Sequence, residues 1–74
     1  MKVKCTVACV NANGEPDFHF VTVKCTQEQY DNGDHYDAAK QDAEKEGYEP
    51  FLAYDENDPL MSMTVWESMN VVEI

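Results

Sequence analysis

The first 25 residues alternate, with a period of two, between side chains that suit a protein core and side chains that suit its surface. Such alternation is typical of a β-strand with one buried face, because successive side chains of a strand point to opposite faces of its sheet. A run at 3–11 is separated from a second run at 18–25 by the turn-forming segment 13–16 (Asn-Gly-Glu-Pro). These runs predict a β-hairpin whose core face carries the odd-numbered residues Val3, Cys5, Val7, Cys9, His19, Val21, Val23 and Cys25.

The pairing of the two strands depends on the position of the turn. A turn centred near Glu15 fixes which residues of the two strands lie opposite each other. The predicted register then pairs Val7 with Val23, Cys9 with Val21, and Cys5 with Cys25.

The middle of the chain predicts helices. Thr26 and Gln29 have the spacing of a capping box, which predicts a short helical turn. A longer helix is predicted over 35–46, with Asp34 as its N-cap and Gly47 at its C-terminal end. Because its apolar stripe is narrow and mostly small, this helix is expected to lie close against a sheet; the stripe consists of Tyr36, Ala39, Ala43 and Gly47.

The remaining segments complete the predicted fold. Residues 48–54 predict a third strand, and Pro50 indicates that its start lies at a sheet edge or outside the ladder, because proline has no N–H to donate. The segment 59–70 fits both a helix and a strand; we prefer a second helix, followed by a short strand at 71–74. The order predicts an α+β fold, a small two-layer sandwich that makes residues 1–74 a single domain.

The charge of the chain is strongly negative and concentrated in its centre. Fifteen Asp and Glu against five Lys give a formal net charge of -10, and the segment 26–58 alone holds eleven acids against Lys40 and Lys45. Such a field repels nucleic acid and anionic membranes and attracts basic surfaces. We therefore predict a partner-binding surface made of the acids of this segment: Glu28, Asp31, Asp34, Asp37, Asp42, Glu44, Glu46, Glu49, Asp55, Glu56 and Asp58.

Cysteine and histidine are the other candidates for chemistry. Cys5, Cys9, Cys25 and His19 share the predicted core face, but no pair has the spacing of a zinc knuckle, so buried thiols and no metal or other cofactor are expected. Cys9 and His19 lack a third group that would orient a catalytic base. His35, beside several acids, is predicted to be a solvated surface residue. We predict that the protein is not an enzyme.

Two central segments carry a resemblance to known proteins. They are 34–40 (Asp-His-Tyr-Asp-Ala-Ala-Lys) and 47–56 (Gly-Tyr-Glu-Pro-Phe-Leu-Ala-Tyr-Asp-Glu). In these segments and in its overall size, the chain resembles the small acidic proteins encoded by bacteriophages and mobile elements, a group that includes anti-CRISPR proteins and other DNA mimics. The resemblance implies inhibition by occlusion, in which an acidic surface covers the lysine and arginine side chains of a host CRISPR-type complex.

The sequence therefore predicts a non-catalytic inhibitor that binds a basic surface of a nucleic-acid-binding protein or complex, with no direct contact to nucleic acid or membrane. The alternative is a small structural or regulatory module that self-associates, as a homodimer, through a strand edge or through the Met-rich segment that contains Met61, Met63, Trp66 and Met69. The sequence shows no signal-peptide pattern and no run of roughly 20 apolar residues, so the expected location is the cytoplasm, that of a bacterial host if the protein is phage-encoded.

Overall fold

A computed structural model describes residues 1–58 and 70–74, which form a four-stranded mixed sheet and two helices. The elements follow in the order β1 (Lys2–Val10), β2 (Pro16–Lys24), α1 (Gln27–Asp31), α2 (Asp34–Lys45), β3 (Glu49–Asp55) and β4 (Val71–Glu73). The sheet order is β3-β1-β2-β4, and all neighbours are antiparallel except β2 and β4. The predicted α+β fold is confirmed, with its hairpin, helix, third strand and short C-terminal strand.

Part of the prediction falls on residues 59–69, which lie outside the described residues. This concerns the preferred second helix and the apolar patch of Met61, Met63, Trp66 and Met69. Within the described ranges, no helix is long and apolar enough to cross a membrane.

The hairpin forms, but its predicted register is wrong by four residues. The observed pairs are Cys5 with Val21, Val7 with His19, and Cys9 with Asp17. Because the shift is an even number of residues, it leaves every side chain on the face that the alternation predicts. The core face of odd-numbered residues is therefore confirmed, while the facing pair of Cys5 and Cys25 is not formed, and both thiols are free.

The error arises at the turn, which lies earlier than the sequence suggests. Asn11 closes it: its main-chain N–H donates to the carbonyl oxygen of Glu15 over 2.9 Å, and its side-chain Oδ1 accepts the N–H groups of Asn13 and Glu15. Gly14 adopts φ 80°, a left-handed conformation that glycine tolerates without strain. The turn is therefore centred on Asn13, and Pro16 is the first residue of β2.

The core lies between the odd-numbered face of the hairpin and α2. Its sheet side is formed by Val3, Val7, Val21 and Val23, each 0–1% exposed, together with the three cysteines. Burying each valine contributes roughly 1.5–3 kcal/mol. The helix side is formed by Ala39 and Ala43, both fully buried, whose single methyl groups let α2 lie close to the strands.

The sequence predicts the C-terminal end of α2 correctly and its N-terminal cap wrongly. Asp34 is not the N-cap; Gly33 takes that position, with φ 79° and no side-chain cap, because it joins α2 directly to the end of α1. At the other end Gly47, with φ 89°, confirms the predicted terminator: its N–H donates to the carbonyl of Glu44 and the next N–H, that of Tyr48, to the carbonyl of Ala43. This is the bond pattern of a Schellman motif.

Strand β3 is an edge strand, as Pro50 predicts. Its register against β1 shifts at a bulge, where Leu52 pairs with Ala8 but Pro50 pairs with Cys9, which leaves Phe51 as the extra residue. The bulge and the missing N–H of proline both reduce pairing with further strands at this end.

We expect Ala43→Leu to lower the free energy of unfolding by about 1–3 kcal/mol, because the larger side chain has no space between α2 and the sheet. Gln41→Leu, an equally apolar change at an exposed position of the same helix, should stay within about 0.5 kcal/mol of the wild type. Urea unfolding followed by circular dichroism measures both. Equal stability of the two variants would contradict the close packing of α2.

Candidate functional site

A buried hydrogen bond between a histidine and a carboxylate joins α2 to the end of β3. His35 Nε2 lies 2.9 Å from Asp55 Oδ2, and the two residues are 1% and 3% exposed. His35 reaches this position because it is in the first turn of α2, and Asp55 because it is the last residue of β3, on the same face as Ala53. The pair thus lies at the edge of the core, where α2 begins.

Two tyrosines surround the histidine. The Tyr30 ring, at the end of α1, stacks on the His35 ring with centroids 4.7 Å apart, and the Tyr36 ring lies at 4.0 Å. The Tyr36 hydroxyl oxygen lies 3.0 Å from Asp55 Oδ2 and 3.1 Å from Asp58 Oδ2, so its single proton is shared between the two carboxylates. The histidine is therefore held by rings on its faces and by a carboxylate at one nitrogen.

The loop after β3 is closed by its own aspartates. Asp58 Oδ2 accepts the main-chain N–H of Asp55 over 2.8 Å, and Asp55 Oδ1 accepts the N–H of Asn57 over 2.8 Å. Asn57 also donates from its side chain to the Tyr30 hydroxyl over 3.0 Å. These bonds tie the loop to α1 and hold both carboxylates in place.

Burial alone raises the pKa of the Asp55 carboxyl, but donors around it reverse the shift. His35, the N–H of Asn57 and the Tyr36 hydroxyl all donate to its oxygens, and the pKa of Asp55 is held below its ordinary value. Asp55 is thus an anion at neutral pH despite its burial. A cavity of about 490 Å³ opens beside it, lined by Tyr30, Asp31, His35, Tyr36, Asp55, Asp58 and neighbouring loop residues.

Two side chains next to Asp55, those of Cys5 and Tyr36, keep their protons at neutral pH. Cys5 pairs with Asp55 across β1 and β3, and burial, followed by the charge of that aspartate, raises the pKa of its thiol to about 12. Burial and the hydrogen bond to Asp55 likewise raise the pKa of the Tyr36 hydroxyl. Since the thiolate and not the thiol is the nucleophile, the Cys5 thiol is not activated.

The sequence-based prediction for His35 is wrong, since the residue is buried and not solvated. The physical reason is its place on α2: His35, Ala39 and Ala43 recur every four residues and so share the face that packs on the sheet. The spacing of four in the sequence indicates the burial of His35. The burial of Asp55 is likewise indicated by the alternation in β3, because Asp55 lies two residues after the buried Ala53.

A second histidine–aspartate pair joins α2 to β2. His19 Nε2 lies 2.7 Å from Asp42 Oδ2, and the same oxygen accepts a hydrogen bond from Asn70 over 3.1 Å. The Tyr48 ring lies 5.4 Å from the His19 ring. This pair anchors the C-terminal half of α2, as His35 and Asp55 anchor its start.

The acids predicted to bind a partner fall into three groups. Asp55 is buried, so its predicted place on the surface is wrong, and its carboxylate accepts hydrogen bonds from within the protein. Three more are half-buried: Asp34, Asp42 and Asp58, of which the last two are hydrogen-bonded to the protein itself. The other seven are exposed: Glu28, Asp31, Asp37, Glu44, Glu46, Glu49 and Glu56.

The candidate zinc ligands do not converge either. Cys5, Cys9, Cys25 and His19 share the core face of the hairpin, where each pairs with a different residue of the facing strand or lies beyond the paired range. Over the described parts of the chain, no group of three or more His, Cys, Asp or Glu side chains is arranged to hold a metal ion.

Comparisons of the chain with protein-family models, with curated proteins and with solved structures give no match.

We expect Asp55→Asn to lower the free energy of unfolding by about 2–3 kcal/mol near pH 7, because it removes the charge that three donors stabilise. The folded state lowers the pKa of Asp55, so its contribution is complete above the ordinary carboxyl pKa and is lost as the pH falls through the folded value. The stability difference between wild type and variant should therefore shrink as the pH falls below the ordinary carboxyl pKa. Urea unfolding across this range measures it.

The matched control is Asp37→Asn, at an exposed position on α2, which should stay within about 0.5 kcal/mol of the wild type throughout. A difference for Asp55→Asn that is constant or grows in acid would show that the carboxylate is not stabilised in its charged form.

Proposed function

We propose that the protein is a non-catalytic binding protein whose acidic helical face occupies the cationic groove of a nucleic-acid-binding protein and thereby inhibits it. The observation that carries this proposal is a stripe of carboxylates on the side of α2 that faces away from the sheet. We call it the outer stripe; it consists of Asp34, Asp37 and Glu44, with Gln41 between them.

The outer stripe follows from the helical repeat. Its residues are spaced by three, four and three positions, which places them on one line along the helix, opposite His35, Ala39 and Ala43. From Asp34 to Glu44 the line is roughly 15 Å long, at a rise of about 1.5 Å per residue. Glu28 and Asp31, on α1, are also exposed.

Within the described residues, no salt bridge joins a lysine to a carboxylate of the outer stripe. Lys40 and Lys45 lie on α2 itself but form no salt bridge to an acid there, and the one lysine ion pair in these ranges joins Lys24 to Glu73. The other lysines, Lys2 and Lys4, alternate with the core residues of β1 and so point away from the helices. The helical face therefore keeps its negative field for a partner.

A fixed row of carboxylates on a rigid helix is attracted to sites built for nucleic acid. A duplex presents about one negative charge per 1.7 Å of axis, and a groove lined with lysine and arginine for that field also attracts a row of carboxylates. Such complexes associate quickly and weaken as salt is added. The choice of a host CRISPR-type complex as the target stays a prediction from the resemblance.

We expect Asp37→Asn combined with Glu44→Gln to weaken binding to a partner isolated from bacterial lysate by about 5–30-fold at low salt, because two exposed charge pairs are lost. The effect should shrink in high salt. Surface plasmon resonance measures both affinities, and duplex DNA added as a competitor should displace the protein.

The matched control combines Glu15→Gln with Glu73→Gln, which removes the same charge at the hairpin turn and at β4. It should bind like the wild type at matched salt. Equal losses of affinity in the two double variants would show that the effect arises from net charge alone. A partner that binds DNA and this protein at the same time would contradict occlusion.

A second candidate function, self-association, is favoured by apolar side chains on the sheet face away from the helices. Phe18 and Leu52 flank Ala8 in adjacent strands and are 58% and 49% exposed. Exposed apolar side chains that adjoin one another are typical of interfaces between protein molecules. A second copy of the chain is the partner that this candidate requires.

If the sheet face mediates self-association, light scattering should show a dimer that persists in high salt, because apolar burial is not screened. Leu52→Gln should shift it to monomer, whereas Ile74→Gln, at an exposed apolar position beyond β4, should not. A monomer at all concentrations would contradict this candidate and leave the inhibitor proposal standing.

A further inference from the structure

We draw no further inference here: the strongest candidate, the patch of exposed apolar side chains around Phe18 and Leu52 on the sheet face away from the helices, belongs to the self-association already described, and within residues 1–58 and 70–74 nothing shows what covers it.

Discussion

The hydrogen bond between His35 and Asp55 is the contact on which the arrangement of the helices depends. It joins the first turn of α2 to the last residue of β3, where water is excluded from both side chains. A buried carboxylate without donors is strongly destabilising, so Asp55 requires the imidazole, the Tyr36 hydroxyl and the loop N–H together. Satisfying one aspartate thus fixes the start of α2 and the loop that follows β3.

This requirement explains why so acidic a chain can fold around so small a core. The acids have two different roles. Internal hydrogen bonds from histidine, tyrosine or main-chain donors hold Asp42, Asp55 and Asp58. The carboxylates of the outer stripe have no such partner among the described residues. The internal acids are part of the packing. The carboxylates of the outer stripe contribute self-repulsion instead of contacts, which favours a role in binding a partner.

The sequence predicts the features of this fold that depend on local patterns, and it misses those that depend on contacts between distant residues. Alternation fixed the core face of the hairpin, and Gly47 fixed the end of α2, because period and backbone conformation are local properties. The predicted register is wrong because a turn centred near 13 and a turn centred near 15 give the same alternation. The hydrogen bonds of the Asn11 side chain determine which turn forms. Pairings such as that of His35 with Asp55 join residues 20 positions apart, which no local pattern specifies.

The same contacts link the fold to its proposed activity. The stacking of Tyr30 on the ring of His35 places an aromatic wall beside the cavity, next to the buried bond of His35 to Asp55. A site built from the groups that stabilise the fold is preorganised, so a ligand that enters it orders few side chains. Under the proposed function the outer stripe supplies attraction over distance, because long-range charge speeds encounter more than it selects a partner.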